Sequence, residues 1–180
     1  MKSNNGKLYI VATPIGNLKD ITLRALEVLK SVDVIACEDT RVSKKLLNSY
    51  DIGNKTLISY YEPKEERIIP KIIELLKDGK DVALISDAGT PSISDPGYKL
   101  IKRSIEEGIE IIPIPGAFAG LSGLVASGLP TDKFIFIGFL PNKEGKKREI
   151  LKKFGSLNST VILYESPNRV LKTLNLIKEL

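Results

Sequence analysis

The sequence predicts an α/β protein. An open, mostly parallel, five-stranded sheet is expected in residues 1–128, followed by an incomplete second α/β domain in residues 129–180. Two observations carry this. Short apolar runs alternate with segments of helical period along the whole chain. Several of the runs are apolar without interruption, the pattern of strands covered on both faces by helices.

The elements follow in order. "KLYIVA" (7–12) reads as the first strand. "TLRALEVLKS" (22–31) has helical spacing through Leu23, Leu26 and Leu29, with Asp20 or Thr22 as N-cap. "DVIACE" (33–38) is the second strand, "SKKLLNSY" (43–50) a short helix and "TLISYY" (56–61) the third strand. A helix from about Lys64 or Pro70 to Asp78 stops at Gly79, with Pro70 in its first turn or at a kink. "DVALIS" (81–86) is the fourth strand. Asp95 and Pro96 read as N-cap and first position of a helix ending at Gly108. "IEIIPI" (109–114) is the fifth strand, and a helix rich in small residues follows at 117–128. "SGLPTD" (127–132) has the composition of a domain joint. Beyond it come a strand (133–140), a basic helix (143–154), a strand (160–165) and a helix (168–180). The last helix carries the stripe Val170, Leu171, Leu174, Ile177 and Leu180. Two strands and two helices make a poor independent domain, so the second domain reads as truncated.

Composition excludes several chemistries. The chain has 180 residues, 42% of them hydrophobic, which suffices for a sizeable core. No run of about 18 apolar residues is present, and "MKSNNGK" lacks the apolar stretch of a signal peptide, so a cytoplasmic protein is expected. One cysteine, Cys37, precludes an intrachain disulfide and is expected to be a buried core residue. There is no histidine, which removes the commonest general base and every Ser-His or Cys-His pair, and argues against zinc or any other metal site. The net charge of +5 suits a polyanionic partner.

Ligands of open parallel sheets sit beyond the carboxyl ends of the strands. Three Gly- and Pro-rich loops are placed there: "ATPIGNL" (12–18), "SDAGTPSISDPG" (86–97) and "PIPGAFAG" (113–120). Glycine lets main chain approach a ligand, and proline fixes the loop's shape. Neither a G-x-x-x-x-G-K-[ST] nor a G-x-G-x-x-G pattern follows the first strand, which disfavours a nucleotide or dinucleotide cofactor. Each loop taken singly also reads as an ordinary turn.

"LYIVATPIGNLKDIT", "EDTR", "SDAGTPSISDPG", "PGAFAGLSGLVASGLPTDKFIFIGFLP" and "YESPNRV" resemble the bacterial small-subunit (16S) ribosomal RNA cytidine-2′-O-methyltransferase family of the tetrapyrrole-methylase superfamily. The resemblance runs from Lys7 over nearly the whole chain. It implies a tetrapyrrole-methylase-like fold, S-adenosyl-L-methionine as cofactor in a cleft between two α/β domains, a homodimer, and small-subunit ribosomal RNA or the assembled 30S subunit as partner. By position it assigns cofactor contacts to Pro14, Ile15, Ala88, Gly89, Thr90, Ile93, Phe118, Ala119, Tyr164 and Glu165. Thr90 stands where much of the superfamily has Asp. Family members extend further and complete the second sheet.

A ribose hydroxyl is a poor nucleophile until its proton leaves, so a base is expected. Glu38, Asp39 and Asp87 are the candidates, with Glu165 beside them. Arg41 is a candidate phosphate contact. Lys143, Lys146, Lys147 and Arg148 of the basic helix, with Lys152 and Lys153, and Arg169 after "YESP", are candidate RNA contacts. Tyr60 and Tyr61 suit either base stacking or strand-end packing. Three other readings stay open: a relative methylating a tetrapyrrole or a diphthamide precursor, a non-catalytic RNA- or ligand-binding fragment, and a structural domain with chance turns. A charge run is often only a solvated face, and "EDTR" is equally suited to a surface ion pair and helix cap.

Overall fold

A computed structural model describes residues 5–180, so the reading of the first four residues of "MKSNNGK" lies outside the described residues. The chain divides into two compact units, one ending at Phe118 and the other spanning Ala119–Leu180.

The first unit is a five-stranded parallel sheet. Its strands are β1 (Leu8–Val11), β2 (Val34–Cys37), β3 (Thr56–Ser59), β4 (Val82–Ile85) and β5 (Ile111–Ile114), in the order β3-β2-β4-β1-β5. The connecting helices are α1 (Leu23–Ser31), α2 (Thr40–Asn48), α3 (Glu65–Lys77) and α4 (Tyr98–Glu106). Side chains alternate across a strand, so each inner strand feeds two cores. Leu8, Val34, Ala36 and Leu84 join Ile69, Ile72 and Leu76 of α3 and Leu100 of α4 on one face. Val11, Ile35, Cys37 and Ile85 join Ala25, Leu29 and Leu47 of α1 and α2 on the other. Cys37 is thus a fully buried core residue. Pro113 is tolerated because β5 is an edge strand, where a missing N–H breaks no ladder.

Two helix starts differ from the sequence reading. α2 begins at Thr40, three residues before the expected Ser43, because the Asp39 carboxylate caps the Arg41 N–H at 2.8 Å. α4 begins at Tyr98, so Asp95 and Pro96 are not its cap and first position. Gly97 intervenes at φ +149°, a conformation that breaks the helix there, and its N–H is taken by the buried Glu65 carboxylate at 3.3 Å. Pro70 lies in the interior of α3.

The second unit contains α5 (Ala119–Ala126), β6 (Phe134–Phe139), α6 (Glu144–Gly155), β7 (Thr160–Tyr164) and α7 (Pro167–Lys178). β6 and β7 form a two-stranded parallel sheet. The units divide at Phe118/Ala119, whereas the sequence reading set the boundary at 128/129. The physical reason is that α5 belongs with β7: the Gly120 N–H donates to the Tyr164 hydroxyl at 3.2 Å. The α7 stripe Val170, Leu171, Leu174, Ile177 and Leu180 is exposed, and Thr173 and Leu176 are its buried positions. Among the described residues no helix is long and apolar enough to cross a membrane.

Leu84 sits at the centre of the sheet and is 1% exposed. Leu84→Ala is expected to cost the first unit about 2–5 kcal/mol, read as a lowered urea midpoint at unchanged slope. An unaltered midpoint would contradict this packing.

Candidate functional site

Strand order brings the carboxyl ends of β2, β4, β1 and β5 side by side. The segments leaving three of them are joined by main-chain bonds. The Thr13 N–H donates to the Gly89 carbonyl at 2.9 Å, and the Gly89 N–H donates to the Thr13 carbonyl at 3.1 Å. The buried Thr13 hydroxyl donates to the Ser86 carbonyl at 3.1 Å, and the Ser86 hydroxyl reaches the Gly89 carbonyl at 3.2 Å. The Thr90 hydroxyl donates to the Ala117 carbonyl at 2.9 Å and ties in the loop after β5.

Gly89 holds φ +88° at this junction. A Cβ placed there would lie 3.5 Å from Ile15 Cγ2 and 3.7 Å from the Ala117 carbonyl oxygen. The substituent would therefore sit between the first and third loops, in contact with both. Around it Pro14 is buried, Ile15, Thr90 and Phe118 are half-buried, and Ala88 and Ile93 are exposed. The first unit thus gathers Pro14, Ile15, Ala88, Gly89 and Thr90 at one loop junction. Gly116 is also required: a Cβ there would meet Ala12 Cβ at 2.7 Å.

The carboxylates cluster beside this junction, at the ends of β2 and β4. The Asp39 N–H donates to Asp87 Oδ1 at 3.1 Å. Arg41 Nε and Nη2 fork onto the Asp39 carboxylate, the shorter bond being 2.6 Å. These hydrogen bonds hold the Asp39 carboxyl at a pKa of about 2. Glu38 behaves oppositely. Burial, then the charges of Asp87 and Asp95, push its carboxyl above the ordinary range. Burial and Asp87 also raise Asp95, against a hydrogen bond from Ser86. Glu38 and Asp39, adjacent in sequence, are thus separated in basicity by their surroundings. Glu38, Arg41, Tyr61, Lys64 and Asp87 line an open concavity of about 470 Å³.

Glu65 was not among the expected site residues. It accepts a hydrogen bond from the Tyr60 hydroxyl at 2.5 Å as well as from Gly97, and Lys99 lies 3.4 Å from its other oxygen. It anchors the far end of the 86–97 loop. The buried Tyr60 packs in the core, where burial and then the Glu65 contact raise its phenol far above the ordinary range. Base stacking by Tyr60 is therefore ruled out by its position.

In the second unit, Lys147 departs from its expected place on an RNA-facing surface. Its side chain is buried, 3.1 Å from Glu165 Oε2 and 2.8 Å from the Thr173 hydroxyl. Glu165 is likewise occupied. Its other oxygen accepts from the Ser166 N–H at 2.9 Å and from Arg169 at 2.6 Å. A carboxylate and Lys147 so enclosed are fixed inside the unit, and Arg169 is held at its edge. Burial raises the Glu165 carboxyl, but Thr173, the Ser166 N–H and Lys147 outweigh it and leave a pKa of about 2. That makes Glu165 a poor base. Arg148 pairs with Glu179 at 2.6 Å and with Glu144 at 3.4 Å. Lys143 and Lys146 are exposed. Ala119 is exposed at the start of α5, and Tyr164 packs edge-on against Phe136 and Phe139 with ring centres 5.0 and 5.5 Å apart.

Residues 7–180 match the family described as Tetrapyrrole (Corrin/Porphyrin) Methylases. The chain is 52% identical over 174 residues to the ribosomal RNA small subunit methyltransferase I of Halalkalibacterium halodurans, covering 97% of this chain and 60% of that protein. It is 56% identical over 176 residues to the protein of that name from Hydrogenobaculum sp., covering 97% and 75%. For the Bacillus subtilis protein of that name the figures are 48% over 179 residues, 99% and 61%. The chain thus spans about three fifths to three quarters of the length of these relatives. Among solved structures, the uroporphyrin-III-C-methyltransferase of Thermus thermophilus is similar in fold. The TM-score is 0.55 at 23% identity, covering 74% of this chain and 60% of that one.

The low pKa of Glu165 fixes the sign of an acid effect. Its folded pKa lies below the ordinary glutamate value of 4.5, so its stabilisation is complete above that pH. It is lost as pH falls from about 4.5 towards 2. Melting temperature followed against pH is expected to drop through this window, and Glu165→Gln is expected to flatten the drop. An equally steep drop in the variant would contradict the assignment.

Proposed function

Because the chain belongs to the tetrapyrrole (corrin/porphyrin) methylase family, we propose that it carries the cofactor-binding part of an S-adenosylmethionine-dependent ribosomal RNA methyltransferase. The target is the ribose 2′-hydroxyl of a cytidine in small-subunit RNA, naked or in the assembled 30S subunit. The enzyme works in the cytoplasm as a homodimer. The observation that carries the reading is the triple-loop junction at Thr13, Gly89 and Ala117.

The loops fit the cofactor chemically. A Cβ at Gly89 would stand between Ile15 and Ala117, so the glycine keeps the surface between the loops free for a ligand. Ile15, Ile93 and Phe118 supply apolar surface for an adenine ring, and the main chain of Ala88 supplies a polar contact, while the N–H and carbonyl of Gly89 are spent on Thr13 and shape the loop. Thr90 spends its hydroxyl on Ala117, so its role is to shape the loop. S-adenosylmethionine, when bound there, supplies a methyl group already activated by its sulfonium.

The remaining work is positioning and proton removal. Glu38 is the base on this reading. It lines the concavity, and its raised carboxyl makes it a better proton acceptor than Asp39, which Arg41 holds acidic. Asp87 holds the Asp39 N–H and adds negative charge beside Glu38. Arg41 faces phosphate from an 86%-exposed side chain. Of the basic segment, the exposed Lys143, Lys146, Lys152 and Lys153 are the remaining phosphate contacts, with Arg148 a weaker one because two glutamates hold it.

Calorimetric titration with S-adenosylmethionine, followed by transfer of labelled methyl to small-subunit RNA, tests the function. Saturable one-site binding and labelled RNA are expected. A folded chain that binds no cofactor would refute the loop reading for this chain. Gly89→Leu is expected to lower cofactor affinity at least tenfold, and unchanged affinity would remove this loop from the site. Glu38→Gln is expected to slow methyl transfer by about 10²–10⁴-fold with cofactor affinity unchanged. The rate should rise with pH through the raised Glu38 pKa and then level off, because only the ionised carboxylate accepts a proton. Survival of that acidic limb in the glutamine variant would exclude Glu38 as the base.

A further inference from the structure

Resting on the RNA reading of this sheet edge, we propose that the concavity below β2 and β3 seats one unstacked RNA nucleotide. Tyr61 lies against its base, and Lys64 and Arg41 hold the flanking phosphodiesters. Neither Tyr61 nor Lys64 is needed by the cofactor loops. Both lie in the segment between β3 and α3, with β2 between that strand and β4, whose loop carries Gly89 and brings Asp87 to the edge of the concavity.

The size and charge layout choose the occupant. About 470 Å³ falls within the roughly 300–1,000 Å³ of small-ligand pockets. Glu38 and Asp87 place negative charge at the strand ends, where a phosphate is repelled but a hydroxyl donates a hydrogen bond. Arg41 and Lys64 are exposed and stand on separate elements, the first turn of α2 and the turn before α3. A ligand that fits must present a hydroxyl to a carboxylate and anionic groups to two spaced cations. A ribose between two phosphodiesters has that arrangement.

Tyr61 supplies the remaining contact. The half-buried ring lies under Lys64 Nζ, 5.0 Å from the ring centre. A cation over a tyrosine beside a polar floor suits an unstacked base whose phosphate the cation also meets. Asp39 uses Nε and Nη2 of Arg41, and a guanidinium has five N–H donors, so others remain for phosphate. No ion pair to Lys64 forms among the described residues.

The test uses the full chain and a labelled 12-nucleotide single-stranded RNA containing cytidine, with DNA of the same sequence beside it. Tyr61→Ala and Lys64→Ala are each expected to weaken RNA binding about tenfold. S-adenosylmethionine affinity and far-ultraviolet circular dichroism should stay unchanged. Lys64→Ala should also reduce the slope of log affinity against log salt by about 0.7, the value of one phosphate contact on a single strand. The RNA should bind more tightly than the DNA. RNA binding by the unaltered chain that neither variant changes would overturn this proposal and leave the methyltransferase reading standing. No RNA binding by the unaltered chain would overturn both. Equal affinity for RNA and DNA would overturn the ribose contact, and parallel loss of cofactor affinity would overturn the separation of the two sites.

Discussion

Two reciprocal hydrogen bonds between Thr13 and Gly89 hold the site together. β1 and β4 are parallel neighbours, and their loops leave the sheet side by side. The antiparallel bridge between those loops extends the order of the sheet past its strands. Buried hydroxyls of Thr13 and Ser86 add further bonds to the Ser86 and Gly89 carbonyls. The loop order is therefore built into main chain and two small side chains. It requires no ligand, and it explains why a glycine at φ +88° stands at the junction. Glu65 performs the matching task at Gly97, so the 86–97 loop is fixed at both ends.

Electrostatics then divides the labour among neighbouring carboxylates. Arg41 satisfies Asp39 and holds it acidic, while Glu38 is left with burial and three like charges. The second unit treats its glutamate in the first manner. Glu165 is enclosed by Lys147, Arg169, Thr173 and the Ser166 N–H, and so orders the segment that follows Tyr164. An enclosed charge of this kind is costly to leave unpaired, which makes Lys147 and Glu165 interdependent.

The fold was legible where pattern and burial coincide. The runs around Ile35, Leu84 and Ile10 are apolar throughout because helices cover both faces, and each became a parallel strand. Loop composition located the strand-end junction because Gly89 takes the positive φ that its bridge to Thr13 holds, and the neighbouring prolines fix the loops' shape. Partnerships distant in sequence were not legible. "EPKEER" gives no sign that Glu65 is buried against Gly97, since the same letters begin many solvated helices. The start of α4 was misplaced because Asp95-Pro96 has a good local cap pattern that the Glu65 contact overrides. Lys147 did leave a signal. It falls in line with Ile150, Leu151 and Phe154 at helical spacing, and a lysine on an apolar stripe points inward.

The bridge between Thr13 and Gly89 forms the loop junction before any ligand arrives. Hydrogen exchange of the Thr13 and Gly89 amides, measured by nuclear magnetic resonance on the protein alone, tests it most directly. Protection close to that of the β1 and β4 amides is expected, changed little by S-adenosylmethionine. Exchange at the rate of an open loop, with protection only after cofactor is added, would contradict it.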